Sequence, residues 1–267
     1  MSETNGAMNG AAIKQAADLL WQTRAQQKRI DALPDALRPH SLAEGYAIQD
    51  AMVHSARQPV VGWKIAATSK AGQAHIGVTE PLAGRLFADF VLKSGARLPA
   101  APLLMRVVEA EFAFRMGQAL PSRSQAYDKA EVCGAVEALH LAIEVPDARF
   151  ENFAAIGAPQ IVADDAFASW FLLGPRVSNW SDIDLSRQPV RVLKNGKIVA
   201  EGSGANALGD PRLALTWLAN HLSKRDIGLK AGDIVTTGTC VTPAEIGPGD
   251  HMIAEFPGLG RLDAAFT

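Results

Sequence analysis

Two glutamates one residue apart, Glu109 and Glu111, lie in the run 107–114, where Val108, Ala110, Phe112 and Phe114 alternate with them. In a strand that alternation puts the apolar residues on one face and both carboxylates on the other. Residues two apart on a strand stand about 6.5–7 Å from each other, so both acids can lean towards one point. Two bare carboxylates side by side repel, which raises the pKa of one of them unless a cation lies between. A solvated strand face is the plain alternative. A second alternating run, 140–145, places Glu144 opposite Leu141, Ile143 and Val145. Three carboxylates on strand faces form an all-oxygen donor set suited to a hard divalent ion, Mg²⁺ or Mn²⁺. The sequence has no Cys/His cluster with zinc spacing to compete for that role.

A lone cation, Lys64, stands among apolar neighbours in Val60-Val61-Gly62-Trp63-Lys64-Ile65-Ala66. Such a lysine commonly snorkels to solvent. Held instead in a desolvated pocket, it has a lowered pKa and can move protons. His75 is a further catalytic candidate, although one histidine on a short helix is more often structural. Asp164, beside Asp165 at the end of an apolar run, could support a metal ligand from behind, and a turn or cap role fits it equally.

The elements that must position these residues follow from pattern. Residues 1–10 read as a disordered tail of small and polar residues. A helix is expected over 11–29, a second one from Ser41, with Ser41 and Glu44 as a reciprocal capping box. Strands are expected over 60–66, 107–114, 140–145, 234–237 and 252–256, and short or longer helices over 70–75 and 129–139. Residues 79–84 read as a turn-rich loop, Asn195-Gly196 as a type I′ hairpin turn, and Asp210-Pro211 as a helix start. Helices first and then many short strands argue an α+β fold with an antiparallel or mixed sheet. Residues 1–58 would form an N-terminal tail and helical region, and residues 59–267 the catalytic domain.

Composition narrows the class. A chain of 267 residues can bury a sizeable core, and its net charge of -2 argues against a nucleic-acid or anionic-membrane partner. No apolar run reaches transmembrane length, the polar start lacks a signal-peptide pattern, and only Cys133 and Cys240 occur. These features lead to the expectation of a soluble cytoplasmic protein.

Gly62-Trp63-Lys64-Ile65 with Thr68-Ser69-Lys70, then Glu109-Ala110-Glu111 and Ile143-Glu144, are joined by Asn195-Gly196, Gly202-Ser203-Gly204, Leu208-Gly209-Asp210-Pro211, Trp217-Leu218-Ala219-Asn220 and Gly232-Asp233-Ile234-Val235-Thr236-Thr237-Gly238. This ordered set resembles the hydratase/decarboxylase branch of the fumarylacetoacetate hydrolase superfamily, whose members include 2-keto-4-pentenoate hydratases. The resemblance implies a mixed β roll or barrel with N-terminal helices and a few covering helices. It implies an Mg²⁺ or Mn²⁺ site on Glu109, Glu111 and Glu144, an active-site Lys64, and homo-oligomeric assembly. The activity implied is hydration of 2-hydroxypenta-2,4-dienoate, or a related dienoate from meta-cleavage of aromatic compounds, to a 4-hydroxy-2-oxo acid through a cation-stabilised enolate.

The same resemblance leaves alternatives: a 4-oxalocrotonate-type decarboxylase, an acylpyruvate hydrolase, or a non-catalytic partner subunit in a complex with a pathway enzyme. The chain departs from the hydratase pattern at Leu82, where an aspartate is expected, and Glu80, His75 or Asp89 would have to take over its part. No His-x-x-Glu spacing favours the hydrolase, and the metal and lysine positions are all intact, which disfavours the non-catalytic subunit.

Overall fold

The computed structural model describes residues 7–267, without the side chain of His75. Most of the tail expected to be disordered lies outside the described residues. Its end is tied down: Met8 N donates to Glu44 Oε1 at 3.0 Å, and Asn9 caps the first helix, α1 (Gly10–Ala25). That helix stops short of residue 29 because Gln27 turns left-handed, with φ 53°. The second helix, α2 (Leu42–Ala56), starts at Ser41, whose hydroxyl accepts from Glu44 N. Glu44 reaches past its expected partner, and its carboxylate accepts the backbone N–H groups of His40 and Met8. The capping pair thus also fastens the start of α1.

Next come β1 (Val60–Ala66), α3 (Lys70–Ile76), β2 (Leu82–Phe87), β3 (Val91–Lys93), β4 (Ala96–Leu98) and β5 (Val107–Met116). They are followed by α4 (Lys129–Gly134), β6 (Val136–Val145), α5 (Ala158–Ala163), β7 (Trp170–Val177), β8 (Pro189–Lys194) and β9 (Lys197–Ser203). The chain closes with α6 (Pro211–Ser223), β10 (Ile234–Thr236), β11 (Ala244–Glu245), β12 (His251–Phe256) and β13 (Gly260–Phe266). Asn195 and Gly196 both have positive φ, 52° and 81°, as a type I′ turn demands. Asp210 caps α6 through Arg212 N, and Leu215, Leu218 and Leu222 bury that helix's inner face.

Two further elements differ from the sequence reading. Residues 82–84 belong to a strand, because Leu82, Ala83 and Gly84 pair antiparallel with Ala66, Ile65 and Lys64. The helix expected to run to Leu139 stops at Gly134, since Val136, Ala138 and Leu139 pair with Met116, Arg115 and Phe114. In both places long-range pairing overrides a local pattern.

The first sheet runs β2-β1-β10-β5-β6-β7-β3, with β11 on β5, and the second runs β4-β13-β12-β8-β9. Pairs β1/β10, β3/β7 and β4/β13 are parallel and the others antiparallel, so the fold is α+β with mixed sheets. The sheets meet where β12 and β13 pack on β6 and β7, and where Phe112 meets Phe256 edge-on at 5.0 Å. Burying such a phenylalanine contributes roughly 1.5–3 kcal/mol. Helices α1, α2 and α5 pack successively against one another, and α5 against β2.

Candidate active site

Strands β5 and β6 bring the acids together through register. Glu109 lies directly opposite Glu144, and Glu111 opposite Ala142, so all three carboxylates share one face. One oxygen from each of Glu109, Glu111 and Glu144 falls within 4.8 Å of the others. Oxygens bound at about 2.1 Å to one ion stand up to about 4.2 Å apart, so small side-chain rotations would close the set around Mg²⁺. Glu111 and Glu144 are fully buried, and Glu109 is half-buried and lines a cavity.

The partners of these oxygens are few. Glu111 Oε2 accepts from the Thr236 hydroxyl and from Gly238 N at 2.9 Å, both at the end of β10. Glu111 Oε1 and both oxygens of Glu144 have no hydrogen-bond partner among the described residues. Lys64 Nζ stands 3.0 Å from Glu144 Oε1 as an ion pair whose alignment falls short of a hydrogen bond. Buried carboxylate oxygens left bare in this way are costly unless a cation meets them. The residues therefore fit a hard dication.

Electrostatics agree. Burial first, and then the charge of Glu144, pushes the Glu109 carboxyl up to about 7. Burial, Glu144 and Glu109 together hold Glu111 well above the usual carboxylate range. For Lys64, burial pulls the ammonium down, but the charges of Glu144, Glu109 and Glu111 outweigh it and hold it above the ordinary lysine value. The expectation of a lowered pKa rested on desolvation; here the three carboxylates outweigh that burial, and the lysine stays protonated.

Lys64 gets there because the parallel pairing of β1 with β10 ends at Trp63 and Val235. Lys64 itself has no partner on β10, and its Nζ reaches Glu144 of β6. Gly84 lies opposite Lys64 on β2, and a Cβ there would come within 2.2 Å of Asp165 O and 3.1 Å of Lys64 Cγ. Only glycine leaves that space.

The remaining candidates sit elsewhere. Asp164 is buried, but its carboxylate is taken by Arg149, through Nε and through the backbone N–H at 2.8 Å. Glu80 and Asp89 are exposed and do not line the cavity, and the side chain of His75 lies outside the described residues. Leu82 is 1% exposed within the core and does not line the cavity either. Sequence reasoning missed Thr236 and Gly238 as holders of Glu111, although both fall in the Gly232–Gly238 motif. It also missed the carbonyl of Ala166, which accepts from Lys64 Nζ at 3.0 Å.

The cavity measures about 730 Å³. Beyond Lys64 and Glu109 its walls are mainly apolar, with Ile76, Met105, Val107, Phe153, Ile161, Phe167 and Val241 among them. Among the described lining residues Lys64 is the only cation and Glu109 the only anion.

Three glutamates with unpartnered oxygens and one lysine, set beside a mainly apolar cavity, define a candidate site for a hard divalent cation in a mixed β roll. The chain belongs to the fumarylacetoacetate hydrolase family: residues 60–267 match the model of the fumarylacetoacetate (FAA) hydrolase C-terminal domain. It is 36% identical to 2-keto-4-pentenoate hydratase 1 of Dechloromonas aromatica over 94% of this chain and 96% of that one. It is 29% identical to a 4-oxalocrotonate decarboxylase of Pseudomonas putida over 98% of this chain and 100% of the relative. Among solved structures, 4-oxalocrotonate decarboxylase from Pseudomonas putida complexed with magnesium and adipate superposes with a TM-score of 0.90 at 27% identity, covering 98% of this chain and 100% of that chain. These relatives are lyase-type enzymes.

Proposed function

We propose that this protein is a divalent-metal-dependent hydro-lyase that converts 2-hydroxypenta-2,4-dienoate, or a related dienoate, to a 4-hydroxy-2-oxo acid in the catabolism of aromatic compounds. The observation that carries the reading is the convergence of Glu109, Glu111 and Glu144, with unpartnered oxygens on the latter two, around the buried ammonium of Lys64 beside the cavity. The near-full-length likeness to hydratases supports it. Glu109, Glu111 and Glu144 would hold Mg²⁺ or Mn²⁺, and homo-oligomeric assembly and a cytoplasmic location complete the proposal. Among the described residues no helix is long and apolar enough to cross a membrane.

When bound, the ion supplies Lewis-acid stabilisation of negative charge on the substrate's 2-oxygen. The chain's own residues do the rest. An ammonium has three N–H donors. That of Lys64 faces Glu144 and donates to Ala166 O, which leaves a third N–H for the cavity. Lys64, held as the ammonium, gives a proton to C5 and takes back the proton that the 2-hydroxyl releases. Water adds its hydroxyl to C4 and its proton to C3. The apolar wall holds the tail and limits the water that can enter.

A second reading, decarboxylation of a 2-oxo-3-enedioate, is favoured by the same wall. A distal carboxylate would enter a region where Lys64 is the only cation among the described lining residues, and loss of CO₂ relieves a poorly solvated charge. Purified protein given 2-hydroxypenta-2,4-dienoate and, separately, 2-oxohex-3-enedioate, with Mg²⁺ or with chelator, separates the two. Metal-dependent 4-hydroxy-2-oxopentanoate from the first substrate, seen by NMR, is the expected result. CO₂ release from the second with no hydration of the first would establish the decarboxylase instead.

A further inference from the structure

The segment after α5 has an uncommon backbone. Asp165, Ala166 and Phe167 have φ of 57°, 50° and 62°, three consecutive non-glycine residues in the left-handed region. Residues with a Cβ disfavour that region, because the Cβ crowds the following carbonyl oxygen. Such a turn persists only where its surroundings over-determine it.

The surroundings do so. Arg149, buried at 2% exposure, spans both ends of the turn: NH2 donates to Asp164 O at 2.7 Å and NH1 to Ala168 O at 3.3 Å. Asp165, fully buried, accepts Arg85 N on Oδ1 at 2.7 Å, which ties the turn to the middle of β2. Its Oδ2 faces Arg24 NH1 of α1 at 3.9 Å. Within the turn, Phe167 N donates to Asp164 O and Ala168 N to Asp165 O, both at 3.0 Å. At its centre Ala166 turns its carbonyl onto Lys64 Nζ.

We infer that this left-handed turn is a built stand for the active-site ammonium, with Asp165 and Arg149 as positioning residues that act on Lys64 through the Ala166 carbonyl. The inference rests on the reading of Lys64 as the proton-handling group. Glu144 alone would leave the ammonium free to rotate about its ion pair. The Ala166 carbonyl fixes a second direction, and the third N–H is thereby aimed into the cavity that Ala166 and Phe167 themselves line. The aligned backbone is worth its strain only if that aim matters.

The test needs a readout that mere stability does not move. In full-length, metal-free protein with ¹⁵N-labelled lysine, a protected Lys64 ammonium signal is expected, assigned by its loss in Lys64→Met. Asp165→Ala removes the acceptor for Arg85 N and should abolish that signal and lower kcat by about tenfold, with KM nearly unchanged. Asp165→Asn keeps the acceptor oxygen and tolerates positive φ, and should restore both. Should Asp165→Ala not fold, Ala166→Gly serves, because glycine loosens the turn without backbone strain. It should keep the melting temperature and lose the signal. An ammonium signal and a kcat that survive in Asp165→Ala, or a signal that survives in a folded Ala166→Gly, would overturn the inference. If wild-type protein turns over neither dienoate nor enedioate while the ammonium signal responds as described, the stand is upheld and the functional reading falls.

Discussion

At the residue scale, one charge arrangement governs the site: three acids, one buried ammonium, and oxygens of Glu111 and Glu144 without hydrogen-bond partners among the described residues. Lys64 is the cation that the acids share, so its removal has two separable consequences. Lys64→Met is expected to lower turnover by about 10²-fold or more, the usual size for a lost acid–base group. It also leaves the carboxylates to repel one another, so the metal-free variant should melt below wild type and recover more on adding Mg²⁺. Steady-state kinetics and paired melting curves check both, and unchanged turnover would reduce Lys64 to a structural ion-pair partner. The acids and the lysine were legible in the sequence because strand alternation and motif spacing mark them. Arg24, Arg85 and Arg149 were not, because their partners Asp165, Asp50 and Asp164 lie 15 to 141 residues away in the chain, where no local pattern connects them.

At the element scale, most strands and helices could be read from alternation, caps and turn residues, including the Asn195-Gly196 hairpin and the start of α6. Strands β2, β3, β4, β7, β11 and β13 could not, and β2 bears most on the site. Thr79-Glu80-Pro81 looks like punctuation for a loop, yet the next residues are drawn into a strand by pairing with β1. That correction changes what Leu82 means. As a loop residue beside the substrate tail, an aspartate there would orient water and raise hydration. Leu82 instead lies opposite Ala66 in the core, away from the cavity lining. Leu82→Asp is therefore expected to bury an unpaired carboxylate and destabilise the fold by a few kcal/mol. Urea unfolding measures this. A Leu82→Asp variant as stable as wild type, with more hydration product relative to the simple keto tautomer, would place that side chain at the cavity after all.

At the scale of the whole molecule, stability and metal binding are linked through protons. Glu109 titrates in the fold at about 7, up from 4.5, and Asp165 at about 6, up from 3.8, both chiefly through burial. Raised carboxyl values mean that the folded state holds protons that the unfolded chain has lost. The stability they contribute is complete below about pH 4 and is lost as pH rises through 6 and 7. His221, packed between Trp217 and Tyr46, is lowered by burial to about 4 from 6.5. Its contribution has the opposite sign, present above pH 6.5 and lost as pH falls towards 4. In metal-free protein these partly cancel, and the two carboxyls leave a modest net gain on acidifying from pH 7 to 5. A divalent ion competes with the protons for Glu109 and Glu111, so its benefit should vanish where they are protonated. Mg²⁺ at a hundred times its Kd adds about 2.7 kcal/mol. Melting curves with and without Mg²⁺ should thus show a clear rise at pH 8, a smaller one at pH 7 and almost none at pH 5. Glu111→Gln, which removes a ligand charge, should flatten the response at every pH. An equal Mg²⁺ effect at pH 5 and pH 8, or one that survives in Glu111→Gln, would mean that the ion binds somewhere other than these three glutamates.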